Sequence, residues 1–212
     1  MVENFLILLL AISPAIILIA YIYFIDKKQR EPISQIFKGF IFGIISAFIA
    51  VPIALFLADT NFYTDTYTNI IEACRTAFFG AGLPEEVAKL FMLWLLVRKN
   101  KYFDERIDGI VYAVAISMGF AAFENILYLA DNYNEWLSVG LSRAALSVPA
   151  HYAFAVLMGY YYSKVHFGIS NLLKDKLMVL FAPVIVHTIF DWILFSITIT
   201  PALAGILSIV FI

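Results

Sequence analysis

Gly80-Ala81-Gly82-Leu83-Pro84-Glu85-Glu86-Val87-Ala88-Lys89-Leu90-Phe91-Met92-Leu93-Trp94-Leu95-Leu96-Val97-Arg98 is the stretch on which the fold turns. Its second half is a continuous apolar run that stops at a basic residue. Its first half sets two glutamates and a lysine at the mouth of that run. The rest of the chain decides the solvent. Of 212 residues, 63% are hydrophobic and 14% are charged, against about 45–50% and 25% in soluble domains. A single core of this size cannot hide so much apolar surface. The stretch is therefore read as a membrane span with ionisable groups at one end, and the chain as an all-α polytopic transmembrane bundle.

Working outward, the apolar runs predict six spans at about 4–25, 36–58, 82–98, 108–130, 138–162 and 177–198, followed by an apolar tail at 201–212. Each full span approaches the ~20 residues that cross a bilayer. Between 66 and 80, Ile70, Ile71, Cys74, Ala77 and Phe78 alternate at helical spacing with Thr68, Glu72, Arg75 and Thr76. That is the pattern of a short amphipathic interfacial helix. The expectation is about seven or eight helices in one domain, 1–212, with no repeat or linker. The acidic start Met1-Val2-Glu3-Asn4 lacks the basic n-region of a secretory signal, so the first span is expected to be retained.

Charge sets orientation and excludes some functions. Lys27, Lys28, Arg30 and Lys38 follow the first span, Arg98, Lys99, Lys101 and Arg106 the third, and Lys164, Lys174 and Lys176 the fifth. The intervening loops hold only Arg75 and Arg143. The positive-inside rule then puts the N-terminus outside. A net charge of −2 without a basic stripe argues against nucleic-acid partners. Cys74 is the single cysteine, so no intrachain disulfide or cysteine metal cluster is expected.

Glu85, Glu86, Lys89, Glu124, His151, His187 and Asp191 fall within predicted spans. Each costs about 2.5–3.5 kcal/mol on insertion scales, and such residues mark function by default. Lys89 lies three and four residues from the glutamates and reaches either on one helix face. The glycines are expected to break the preceding helix, with Pro84 in the first turn of the next. Glu124 has no basic residue within a turn, so another helix or a metal must meet its charge. Asn125 points elsewhere and braces a neighbour. His187 and Asp191 share a face at i and i+4, the geometry in which a carboxylate fixes a histidine tautomer. Counted along their helices, Glu85, Glu86, Glu124, His151, His187 and Asp191 fall in the outer half of the membrane, so four helices can present them to one outward cavity. Asp104, Glu105, Arg106 and Asp108 read as a solvated turn and helix start. Gly109, Ala113, Ser117 and Ala121 form a small-residue packing stripe.

Two histidines and three glutamates with a supporting aspartate resemble the parts of a water-activating hydrolase. A catalytic zinc takes three protein ligands and leaves a place for water. The expected metal ligands are Glu124, His151 and His187, with zinc the first candidate. Glu85 or Glu86 is the general base, Lys89 holds the pair, and Asp191 orients His187. A metal-free alternative stays open, in which the glutamates activate water directly and His151, His187 and Asn125 stabilise the oxyanion. A non-catalytic scaffold and a proton-coupled transporter are the rivals from other classes. The absence of a matching inner set of charges counts against a transporter's through-path.

Glu85-Glu86-Val87-Ala88-Lys89, then Phe103-Asp104-Glu105-Arg106-Ile107-Asp108-Gly109, then Phe123-Glu124-Asn125-Ile126-Leu127-Tyr128, with His151 and His187-Thr188-Ile189-Phe190-Asp191, resemble the motifs of the PrsW family of bacterial intramembrane proteases. The wider set includes the type II prenyl endopeptidases and the scaffold subunit of the presenilin complex. The resemblance implies first-site cleavage of a single-span anti-sigma factor on its extracytoplasmic side, in a bacterial cell membrane under stress. The prenyl endopeptidases carry His where this chain has Glu124, and Arg where it has Lys89. Prenyl-protein cleavage is accordingly the lesser alternative.

Overall fold

The computed structural model describes residues 2–26 and 29–200. The apolar tail at 201–212, and Lys27 and Lys28, lie outside them. The described residues form α-helices, with one π-helical and one 3-10 turn and no strand. The helices are α1 (Val2–Ile25), α2 (Ile33–Asp59), α3 (Ile70–Thr76), α4 (Leu83–Val97), α5 (Asp108–Asp131), α6 (Trp136–Ala145), α7 (Ser147–His166) and α8 (Leu173–Ile199). By length and hydropathy α1, α2, α5 and α8 are able to cross a membrane. Phe5, Leu9, Ile17, Phe37 and Phe48 lie exposed on α1 and α2, as a face turned to lipid requires.

α5 is the axis, packed against α1, α2, α4 and α7. Small residues bring the backbones together, because little hydrophobic force acts between helices in lipid. A Cβ on Gly43 of α2 would lie 1.9 Å from the Ile116 carbonyl oxygen, and one on Gly119 of α5 would lie 2.0 Å from that of Phe40. On the other side, a Cβ on Gly159 of α7 would lie 2.4 Å from the Gly109 oxygen. The expected stripe on α5 is thus in use, and Ser117 donates to the His151 carbonyl at 2.9 Å.

Three local expectations are corrected. The glycines at 80 and 82 do not break the helix. α3 runs into a π-helical turn, Ala77–Gly82, and on into α4. Pro84 has no N–H to give to the preceding turn, and the wider π turn absorbs that loss while the chain stays helical. The predicted fifth span, 138–162, is two helices divided at Leu146, with the second carrying Pro149 in its first turn. There the missing N–H leaves no orphan donor.

The third correction concerns Asp108, read as part of a solvated turn, which is fully buried. Its Oδ2 accepts from the backbone N–H of Asp104 at 2.9 Å and of Glu105 at 2.6 Å. Nearby, the Tyr112 hydroxyl donates to Glu31, which lies buried in the α1–α2 loop. Burial is the main reason the Glu31 carboxyl is pushed up to about 8, with Asp108 and Asp26 adding repulsion.

Candidate active site

The π turn positions the first pair of carboxylates. A Cβ on Gly82 would lie 2.6 Å from the Thr188 hydroxyl oxygen and 3.3 Å from the Val184 carbonyl oxygen. A glycine there lets the turn press on α8, so that Glu85 and Glu86 emerge beside His187 one turn later. The two glutamates then diverge. Glu86 is 1% exposed and Glu85 lines an open cavity. Which glutamate faces the site is not readable from spacing alone.

Glu86 is held from two sides. Its Oε1 accepts from Lys89 Nζ at 2.9 Å and lies 2.9 Å from His187 Nδ1. Lys89 Nζ also reaches Glu85 Oε2 at 3.1 Å and lies 3.3 Å from His151 Nδ1. The Phe120 ring, 4.0 Å from the ammonium, closes the fourth side. A lysine this deep is retained only because charges and a π-face surround it. On α8, His187 Nε2 lies 3.2 Å from Asp191 Oδ2 and 3.9 Å from Glu85 Oε2. The ring stacks on Phe154, with centroids 4.6 Å apart, and meets His151 edge-on at 5.3 Å.

Glu124 sits one layer away. Its Oε2 accepts from Arg143 Nη2 at 2.6 Å and lies 3.0 Å from His151 Nε2. Arg143 Nε donates to Asn125 Oδ1 at 2.6 Å, and Asn125 Nδ2 donates to the Ala11 carbonyl at 3.1 Å. Asn125 therefore ties α1, α5 and α6 together through Arg143. The arginine itself stacks 3.8 Å from the centre of the Tyr128 ring. In the sequence Arg143 looks like a loop cation. The signal was the isolated Glu124, whose charge demanded a partner from another element.

One cavity of about 620 Å³ receives Glu85, Glu124, Arg143, His151, His187 and Asp191, with Tyr63, Tyr128 and Phe154 on its walls. Glu86 and Lys89 lie behind it. The structure thus brings the seven intramembrane residues singled out in the sequence together, five lining one cavity and two directly behind it.

The donor set fits a divalent metal. One atom each from Glu85, Glu86, His151 and His187 lies within 4.8 Å of the other three, and mixed imidazole and carboxylate ligands suit zinc. Glu124 is outside that group and its carboxylate is already shared between Arg143 and His151. Lys89 contacts three of the four grouped residues, so its ammonium and a dication draw on the same donors.

Comparison with known proteins agrees with this chemistry. A family described as PrsW family intramembrane metalloprotease matches residues 31–212. Among curated relatives, Protease PrsW of Clostridioides difficile (strain 630) is 39% identical over 88% of this chain and 78% of its own length. Those of Geobacillus kaustophilus (strain HTA426) and Bacillus subtilis (strain 168) are each 33% identical, over 87% and 90% of this chain and 78% and 83% of theirs. No solved structure matches the chain.

Proposed function

The chain belongs to the PrsW family of intramembrane metalloproteases, and from that premise we propose that it cuts a single-span membrane protein, an anti-sigma factor, on its extracytoplasmic side. The enzyme is a membrane endopeptidase. The observation that carries the finer reading is the cavity, which gathers Glu85, His151 and His187 at the end of the bundle where α4 and α7 begin and α5 and α8 finish. The basic loops lie at the other end, which supports reading the cavity end as the outer one by the positive-inside rule.

Peptide hydrolysis needs a water made nucleophilic, a polarised carbonyl and a proton donor for the leaving amine. Glu85 is the proposed base, because its carboxylate reaches the cavity while Glu86 does not. It takes a proton from water on attack and returns one to the amine. Glu86, His151 and His187 are the proposed metal ligands, with Glu85 adjoining them. A divalent metal held there would supply a Lewis acid for the scissile carbonyl and a more acidic water. Glu124 is assigned to orienting His151 rather than to ligation, because Arg143 already engages it. Asp191 holds His187, and Lys89 holds both glutamates. Burial and fixed partners keep Glu86, Lys89, His151 and His187 preorganised.

A second reading keeps the same base and omits the metal. It is favoured by one observation, the Lys89 ammonium in contact with two of the proposed ligands, Glu86 and His151, and with Glu85. His151 and His187 would then donate to the oxyanion.

Co-expression with a single-span membrane protein tagged at both ends tests the side of cleavage. An outward cut releases the outer tag and leaves the span joined to the cytoplasmic tag. A cut that frees the cytoplasmic tag, or no cut at all, contradicts the reading.

A further inference from the structure

At the end of the bundle opposite the cavity, α4, α7 and α8 part to leave a groove of about 580 Å³. Its walls are Val87, Leu90 and Trp94 from α4, Tyr162 from α7, and Val179 and Leu180 from α8. Nothing in the hydrolytic mechanism uses it. Its polar mouth is cationic. Lys176 lines it, and Arg98 stands at the end of α4 with its guanidinium 4.7 Å from the centre of the Trp94 ring. Neither cation forms a salt bridge with a carboxylate among the described residues. The adjacent Asp175 is taken by Lys164 and Ser170.

We propose that this groove is a binding site for an anionic glycerophospholipid, with one acyl chain between α4 and α8 and the headgroup phosphate between Arg98 and Lys176. Three features select that occupant. The mouth carries unpaired positive charge, and a zwitterionic headgroup would offset its own phosphate with a choline. Trp94 is half-exposed beside Arg98, where an indole sits at the level of lipid headgroups. The groove is also short. From Trp94 to Val87 is seven residues, about 10 Å along a helix. That is less than half the ~30 Å hydrocarbon layer, enough for part of a chain in one leaflet and too little for a crossing helix.

The test uses Trp94 as reporter. The chain has three tryptophans, so the full-length protein with Trp136→Phe and Trp192→Phe leaves only that indole. In mild detergent, it is titrated with phosphatidylglycerol or phosphatidylcholine carrying the same brominated chains, which quench indole fluorescence on contact. The proposal predicts quenching by phosphatidylglycerol at roughly tenfold lower mole fraction, given the attraction of two basic residues for anionic lipid. Adding Arg98→Gln and Lys176→Gln should bring the phosphatidylglycerol curve onto the phosphatidylcholine curve and leave the latter unchanged, which also checks folding. Leu180→Phe, which fills the groove without altering charge, should weaken quenching by both lipids. Equal curves for the starting protein, or a preference that survives the double substitution, would overturn the proposal. So would loss of quenching on adding a stoichiometric single-span substrate, which would assign the groove to the substrate's helix. Relief by soluble glycerol phosphate would reduce it to a free-anion site and overturn it as a lipid site.

Discussion

Oε1 of Glu86 on α4 and Nδ1 of His187 on α8 lie 2.9 Å apart, joining two helices that are 101 residues apart at these positions. The same oxygen receives Lys89. This contact bridges α4 and α8 behind the cavity that Glu85 lines. The site is therefore a cross-helix network in which buried groups hold the one that faces water.

Arg143 is a positioning residue in that network. It meets Glu124 and Asn125 through two different nitrogens, and Glu124 in turn engages His151. Arg143→Met should lower kcat about 10–100-fold, the usual effect of losing a group that orients a functional histidine, with KM little changed. Arg143→Lys should restore little, because a single ammonium cannot reproduce the fork. Steady-state kinetics on a purified single-span substrate checks both. A rise in KM alone would make Arg143 a substrate contact instead.

Lys89 predicts a competition. Its ammonium lies within 3.3 Å of atoms from Glu85, Glu86 and His151, which belong to the candidate ligand group. Lys89→Met should tighten zinc binding by about tenfold or more, since a competing charge worth at least ~1.4 kcal/mol is removed. The metal-free variant should lose stability, on the order of 3–5 kcal/mol for a broken buried pair. Zinc titration and thermal unfolding measure the two effects. Unchanged zinc affinity would mean that lysine and metal do not share donors.

Glu31 predicts a pH dependence of stability at the opposite end of the protein. Its folded carboxyl keeps a proton up to about pH 8, against 4.5 as the ordinary value. Between those values the folded state binds more protons than the unfolded state. Stability is thus full below about 4.5 and declines as pH rises toward 8. Glu31→Gln should flatten that part of the melting-temperature profile while retaining the Tyr112 hydrogen bond. A wild-type profile that rises from pH 5 to 8 and is not changed by the substitution would contradict this.

Sequence showed the span positions well because they depend on apolar length alone, and α1, α2, α5 and α8 fall close to the predicted runs. It also pointed to the charged groups that the structure gathers around the cavity, since buried charge in lipid is rare enough to stand out. Three features were hidden for physical reasons. The π turn looks like a break because Gly-Ala-Gly-Leu-Pro is breaker-rich, and its close approach to Thr188 and Val184 of α8 is a tertiary contact that local sequence does not show. Arg143 looks like a loop cation because its partner is 19 residues away on another helix. Asp108 looks solvated because it lies in a charged run, yet it is buried and lies close to Glu31 of the α1–α2 loop, a proximity that local sequence does not show.

The central claim is that Glu85 activates water at the floor of the cavity. The most direct measurement is cleavage of a purified single-span substrate by Glu85→Gln in mild detergent, with thermal unfolding run on the same sample. Glutamine keeps the shape and removes the base, so the account predicts at least a ~100-fold fall in kcat, the lower range for a general base, with the protein still folded. A folded Glu85→Gln enzyme that cleaves at the wild-type rate would contradict it.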